Sequence, residues 1–272
     1  MGTITEDYRM TTQQIITPSA GMFNTPSSKS GRETDALFGE SVDIITSVNA
    51  NNGEEWAEII LKTDGYQAWV TVDALGRMPQ ASHHVTAPRA LMTVDSDIKS
   101  PSSGYLPMGS LINALPAEDA RMMAVQGPQD DHGEHPVIGY IPADHVMALG
   151  HYIDDYVTAA ERLIGSPYRW GGRDSFGFDC SALVQLSLAA SGKAVARNSG
   201  DQERTVGETI HHLDDLRRGD LVFWKGHVGI MQDEARLLHA NMWHGMTASE
   251  DLRAALPRLE EATGPVTRLA RP

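Results

Sequence analysis

The feature that most restricts the fold is a repeat in the first half of the chain. Leu37–Ile45 (LFGESVDII) resembles Leu106–Ala114 (LPMGSLINA), with Gly39 and Gly109 70 residues apart. Ala68–Leu75 (AWVTVDAL) likewise resembles Gly139–Val146 (GYIPADHV) at an offset of 71. Self-similarity at a nearly constant offset marks duplicated structural units. Each unit consists of short apolar stretches broken by Gly, Pro, Asn, Asp and Ser. In the first, Val42 and Ile44, then Trp56 and Ile59, then Trp69 and Val72 suggest consecutive short strands. Strands of that length and spacing predict a small β-barrel for each unit. Near residue 150 the pattern changes to helical periodicity, so a mixed helix-and-strand region follows.

That region opens with a helix predicted over Asp154–Ile164. Asp154 is its candidate cap, Tyr156, Ala160, Leu163 and Ile164 form its apolar face, and Gly165 and Pro167 end it. A second helix runs from about Cys180 to Ser191 and stops at Gly192. Apolar residues surround most of its circumference, which predicts burial. Ser199-Gly-Asp-Gln202 matches a capping box that starts a short third helix. LVFW (Leu221–Trp224), HVGIM (His227–Met231) and RLLHAN (Arg236–Asn241) read as consecutive strands. Glu250–Ala262 reads as a helix with Pro257 as a candidate break, and VTRLA near the end as a last strand.

Composition removes several function classes. The chain has 22 Lys+Arg against 36 Asp+Glu, a net charge of −14. Nucleic-acid binding needs a clustered basic face, and adhesion to anionic membranes needs basic segments, so neither partner is expected. One cysteine in 272 residues permits no internal disulfide and no multi-cysteine metal site. The longest apolar stretch, Ala182–Ala190, carries Gln185 and Ser187 and is far short of the roughly 20 residues a membrane span needs. The opening MGTITEDYRMTTQQ has neither a basic n-region nor an apolar h-region. Glu6 breaks the myristoylation pattern. The cytoplasm is the expected compartment, although a chain trimmed of a leader would read the same.

The lone thiol, Cys180, lies where a glycine-rich turn meets the buried helix. A helix N-terminus carries about half a positive charge, which favours a thiolate and lowers the thiol pKa. The unpaired amides of the first turn offer an oxyanion hole. Alternatively, Cys180 is a small buried hydrophobe. A thiolate needs a base. His227 stands in a strand flanked by glycines, and His239 in the next strand twelve residues on. A hairpin would place both imidazoles on one face, as base and orienter. Taken singly, each histidine reads as an ordinary hydrogen-bonded residue.

These residues stand in a longer series: Tyr168-Arg-Trp-Gly-Gly172, Asp179-Cys180-Ser181, Arg197-Asn-Ser-Gly-Asp-Gln202, Gly219–Trp224, Gly226–Ile230 and Leu237–Ala240. In order and spacing the series resembles the NlpC family of cell-wall cysteine peptidases, over residues 154–270. The resemblance implies an α+β fold: a papain-like NlpC catalytic domain preceded by two small SH3-like β-barrels. It implies Cys180 as nucleophile, His227 as general base, His239 as the polar third member, and no cofactor. The first barrel resembles the bacterial SH3-like domain in its Thr25–Gly31 loop, LFGE, Trp56 and GYQAWV. The expected layout is an N-terminal extension (1–16), SH3-like domains at 17–80 and 86–148, and the peptidase domain at 152–272.

SH3-like domains ahead of such a domain are similar to γ-D-glutamyl-L-diamino acid dipeptidyl-peptidases of murein peptide recycling. That implies a free murein peptide substrate with an unblocked N-terminal L-Ala. By the same resemblance Asp179 and Glu40 bind the substrate ammonium, Tyr66 lines the wall beside Glu40, and Tyr168, Ser181 and Ser199 line the cleft. Burying an ammonium requires a paired carboxylate, and a site built on that pair rejects blocked peptides. Asp179 reads equally as a helix cap, and Glu40 as a solvated carboxylate at a strand end. The alternatives for the chain are an exported endopeptidase acting on intact peptidoglycan through SH3-like wall-binding modules, an acyltransferase or amidase on the same scaffold, and a non-catalytic binding protein. His83-His84, His132 with His135, and His211-His212 lack metal-site spacing and read as surface loops. No glycine-rich nucleotide motif is present.

Overall fold

A computed structural model describes residues 13–50 and 53–272. Most of the expected N-terminal extension, with Glu6, lies outside them. The chain divides into two compact units, the division falling between His151 and Tyr152.

The first unit contains strands β1 (Gln13–Ile15), β2 (Ser19–Phe23), β3 (Arg32–Leu37), β4 (Ser41–Asn49), β5 (Glu55–Leu61), β6 (Gln67–Thr71) and β7 (Leu75–Gly76). They form one antiparallel sheet in the order β3-β2-β6-β5-β4-β1-β7. Ile15, Met22, Val42, Ile59, Leu61 and Val70 fill its core. β1 pairs with β4 and β7, so the sheet begins before the expected boundary at residue 17; a three-residue strand led by two glutamines carries no alternation to betray it. Trp56 and Ile59 are three apart in one strand and so face opposite ways. Trp56 is nevertheless fully buried, edge-on to Phe23 at 5.7 Å between ring centres.

The same unit continues with β8 (His83–Val85), β9 (Arg89–Thr93), β10 (Ser102–Pro107), β11 (Leu111–Ile112), β12 (Ala114–Pro116), β13 (Met122–Gln126), β14 (Val137–Pro142) and β15 (Val146–Ala148). These pair as β10-β9-β14-β13-β12 and β11-β8-β15 over a second core of Val85, Met92, Leu106, Ile112, Val125 and Ile141. His83 and His84 are therefore half-buried residues of β8, in the segment expected to link the modules, and burial lowers the pKa of both. The repeat has a backbone counterpart. Gly39 N–H donates to Ile15 at 2.8 Å and Gly109 N–H to Val85 at 2.9 Å. Both glycines are left-handed, at φ 80° and 88°.

The LFGE turn joins the two modules. Phe38 is buried in the second core, not the first. Its carbonyl accepts the Leu111 amide at 2.8 Å. A Cβ on Gly39 would lie 1.8 Å from the Leu111 carbonyl oxygen. Gly39→Ala therefore combines a left-handed backbone with a backbone clash. We expect it to destabilise the chain by about 2 kcal/mol or more, measured by urea unfolding.

The second unit contains α1 (Tyr156–Glu161), β16 (Arg173–Asp174), β17 (Gly177–Phe178), α2 (Cys180–Ala190), α3 (Ser199–Thr205), β18 (Glu208–Ile210), β19 (Leu221–Trp224), β20 (His227–Met231), β21 (Arg236–Asn241), β22 (Met246–Asp251), α4 (Leu252–Thr263) and β23 (Arg268–Arg271). Its six-stranded antiparallel sheet has the order β18-β23-β19-β20-β21-β22. α2 is buried from Cys180 to Leu188 and packs on β20 and β21. α4 lays Leu252, Ala255 and Leu259 on Val222, Trp224, Met231, Leu237 and Leu269. That apolar stripe carries the helix through Pro257.

Three boundaries differ from expectation. Asp155, not Asp154, caps α1, accepting the Val157 amide. Asn198 is the residue before α3, so Ser199 is its first helical residue rather than its cap. Glu250 lies in β22, and α4 begins two residues later behind its cap Asp251. Among the described residues no helix is long and apolar enough to cross a membrane.

Candidate active site

The site is built from the start of α2 outward. Asp179 has extended backbone and Cys180 is the first helical residue. The Asp179 carboxylate receives five donors. Oδ1 accepts the Ala182 amide at 2.8 Å, the Ser181 hydroxyl at 3.1 Å and Arg197 Nη1 at 2.9 Å. Oδ2 accepts the Gly171 amide at 3.1 Å and Arg197 Nη2 at 2.6 Å. Arg197 Nη1 also donates to Ser181 Oγ at 2.9 Å. Gln202 Nε2 donates to the carbonyls of Ser181 and Ala196, each at 2.9 Å. The Arg197…Gln202 motif thus clamps both residues beside Cys180. Asp179 fulfils the capping alternative, and its negative charge is matched by Arg197.

Cys180 is 7% exposed. Its thiol approaches the Gly226 carbonyl at 4.0 Å, against the turn that opens β20. Burial pushes its pKa up to about 12 and the Asp179 charge adds to this, while the amides of Val228 and Ser181 and the charge of Arg197 oppose it. The lowered pKa expected at a helix N-terminus is therefore not found, because desolvation of the anion outweighs the amides and the Arg197 charge that oppose it. The resting thiol is protonated.

His227 opens β20, and its ring lies 5.7 Å from that of Trp224. Its Nε2 is 2.8 Å from Nδ1 of His239. The register of β20 and β21 pairs Ile230 with Leu238 and Met231 with Leu237. Continuing it sets His239 across from Gly229, diagonal to His227. A Cβ on Gly229 would meet Leu237 Cδ1 at 2.6 Å and His239 Cβ at 3.2 Å, so this glycine makes room for the imidazole. Burial lowers the His227 pKa to about 3, with His239 and Arg258 adding and Glu250 opposing. Burial also lowers that of His239, although Glu250 opposes it. Both imidazoles are neutral at pH 7, so His227 has a lone pair with which to accept a proton. The contact with His239 engages Nε2, which leaves Nδ1 as the ring nitrogen not engaged by His239.

The sequence reading missed Glu250. Its Oε1 lies 2.7 Å from His239 Nε2 and 2.5 Å from Arg258 Nη2. His239 pairs with Ala248 in the β21–β22 ladder, which puts Glu250 on the diagonal of the same face. Burial would raise the Glu250 pKa, but the hydrogen bonds from His239 and Arg258 outweigh it and hold it at about 2. The available signal was the 11-residue spacing from His239 in a third strand of the hairpin series, obscured because Glu250 adjoins a helix.

The remaining expected residues fall into two groups. Tyr168 is half-buried; burial and the nearby Cys180 and Asp179 raise its hydroxyl to about 12. Ser199, at the start of α3, is half-buried two residues beyond Arg197. Glu40 and Tyr66 belong to the first unit. Glu40 is 2% exposed and accepts the Leu37 amide at 2.7 Å, so it is not a solvated carboxylate. The Tyr66 hydroxyl donates to Glu33 at 2.9 Å.

A thiol at a helix start, a neutral imidazole and a second imidazole behind it define a papain-like cysteine peptidase. Residues 165–255 match the NlpC/P60 family, and residues 22–75 match the bacterial dipeptidyl-peptidase Sh3 domain. The chain thus carries an NlpC/P60 cysteine-peptidase domain with a bacterial SH3-like domain ahead of it. It is similar to the γ-D-glutamyl-L-lysine dipeptidyl-peptidase of Bacillus subtilis, 28% identical over 227 residues, covering 76% of this chain and 72% of the relative. The protein of the same name from Bacillus cereus is 23% identical over 231 residues, covering 76% and 67%. An NlpC/P60 family protein from Bacillus cereus shares the fold with a TM-score of 0.76 and 18% identity, over 96% of this chain and 99% of that one.

Removing Arg197 leaves a buried, uncompensated carboxylate, so Arg197→Leu is expected to cost about 3–5 kcal/mol in urea unfolding. His227 binds a proton at about pH 6.5 when unfolded but only near pH 3 when folded. Between those values the unfolded state binds more protons, so stability falls on acidification, by at most about 1.4 kcal/mol per pH unit from this group. In His227→Gln, unfolding midpoints at pH 7.0, 5.5 and 4.5 are expected to decline less steeply than in the parent.

Proposed function

We propose that the chain hydrolyses the γ-D-glutamyl–diamino acid bond of free murein peptides that carry an unblocked N-terminal L-Ala. One observation carries this reading. The Cys180–His227–His239 site stands in a chain whose residues 22–75 match a domain described from bacterial dipeptidyl-peptidases, and two relatives aligned over 76% of it are named γ-D-glutamyl-L-lysine dipeptidyl-peptidases. In this scheme His227 Nδ1 accepts the Cys180 proton as the sulfur attacks the γ-carbonyl carbon. The amides at the start of α2 stabilise the oxyanion. The His227 imidazolium then protonates the leaving amine, and neutral His227 activates the water that hydrolyses the thioester.

Recognition of a free α-ammonium is assigned, through the resemblance, to Asp179 and Glu40, with Tyr66, Tyr168, Ser181 and Ser199 lining the peptide. A cytoplasmic location suits an enzyme that degrades free peptides and spares the acylated stems of intact wall.

The test compares L-Ala-γ-D-Glu-diaminopimelate, its L-Lys counterpart and their N-acetylated forms. The free peptides are expected to be cleaved, with kcat/KM at least about 10²-fold above the acetylated forms. Equal cleavage would remove the ammonium requirement, and release of stem peptides from purified sacculi would favour the wall-acting endopeptidase. Cys180→Ala is expected to lower turnover by about 10⁴-fold or more.

A further inference from the structure

The active-site hydrogen bonds do not end at His239. Behind it Glu250 Oε1 lies 2.7 Å from His239 Nε2, and Arg258 Nη2 lies 2.5 Å from the same oxygen. The Arg258 guanidinium is in turn stacked 4.9 Å from the centre of the Trp243 ring. His244 Nδ1 approaches Glu250 at 4.0 Å, while it is 3.0 Å from Asn241 Oδ1. Ligand atoms of His239, His244 and Glu250 lie within 4.8 Å of one another, as a divalent cation would require. A guanidinium already on the carboxylate, and an imidazole nitrogen spent on the same oxygen, favour a hydrogen-bonded chain over a cation site.

An ionised carboxylate only accepts hydrogen bonds, and a neutral imidazole carries its proton on one nitrogen only. With Glu250 ionised, the 2.7 Å contact requires the His239 proton on Nε2. His239 Nδ1 is then an acceptor, so at 2.8 Å the proton of His227 must sit on its Nε2. His227 Nδ1 is left with the lone pair. We propose that Glu250, held by Arg258, is a positioning residue that locks His239 and, through it, His227 in the tautomers that leave His227 Nδ1 free to take the Cys180 proton. Without the carboxylate, His239 reaches the opposite tautomer and donates from Nδ1. His227 Nε2 must then accept, and its Nδ1 carries a proton where a lone pair is needed. The inference rests on the peptidase reading only for its kinetic arm.

The test uses the full chain with ¹⁵N-labelled histidine at pH 7.5 and long-range ¹H–¹⁵N correlation of the imidazoles, assigned by His227→Gln and His239→Gln. In the parent, both His227 and His239 are expected as the Nε2–H form. A parent His239 protonated on Nδ1 overturns the lock, whatever the enzyme cleaves. Glu250→Leu is expected to shift His239 toward the Nδ1–H form and to lower kcat on the free peptide by about 10²-fold with little change in KM. An unshifted tautomer or an unchanged kcat in that variant overturns the proposal. Glu250→Gln keeps a carbonyl acceptor at the same place. It is expected to retain the Nε2–H form and to recover at least about tenfold of the loss. If Glu250→Leu does not fold, Glu250→Gln decides: retained tautomers with kcat within about tenfold of the parent support the lock, and a larger loss assigns the effect to charge and overturns it. Absence of peptidase activity with the expected tautomers would refute the substrate reading and leave the lock standing.

Discussion

The second unit depends on the carboxylate of Asp179. A helix start leaves amides without partners, and a carboxylate there answers both the amides and the helix field. Asp179 does this for Ala182 while also holding Gly171 from the glycine-rich turn, Ser181 and both arms of Arg197. Five donors on one buried group leave little freedom in the residue that follows. Cys180 therefore takes its place from its neighbour, and the charge that steadies it is balanced by Arg197, so the thiol sits beside an ion pair rather than a bare anion.

Much of this was legible in the chain because the signals were local and redundant. The glycine-rich turn, the all-round apolar helix and the strands HVGIM and RLLHAN each announce themselves, and α2, β20 and β21 lie where they read. What could not be read was decided across strands or by solvent. Glu250 adjoins a helical pattern, and its side chain acquires meaning only when the β21–β22 ladder sets it diagonal to His239. The direction of the Cys180 shift depends on burial, which has no local signature. Arg197 and Gln202 were visible as a motif, but their action on Asp179 and Ser181 spans 16 to 21 residues of chain.

In the first unit the same division holds. The repeat predicted two similar units, and its two glycines share a left-handed backbone and a matching amide bond. The repeat conceals how the copies are joined, because joining requires them to differ. Phe38 leaves its own module to enter the core of the next, and Gly39 admits the Leu111 backbone against it. The LFGE segment thus serves first as a coupling, with Glu40 closing its turn onto Leu37. Any role of Glu40 toward substrate is exercised from a carboxylate already held in position.

The protonated state of Cys180 has a consequence for how long the enzyme survives. Peroxide and disulfides react with thiolate, and the oxidation ladder from sulfenic to sulfonic acid begins there. A thiol 7% exposed with a pKa near 12 offers almost none of that form at rest. The chain has no second cysteine with which to rescue a sulfenic acid as an internal disulfide. Keeping the sulfur neutral until His227 takes its proton shields the chain's one cysteine from that oxidation.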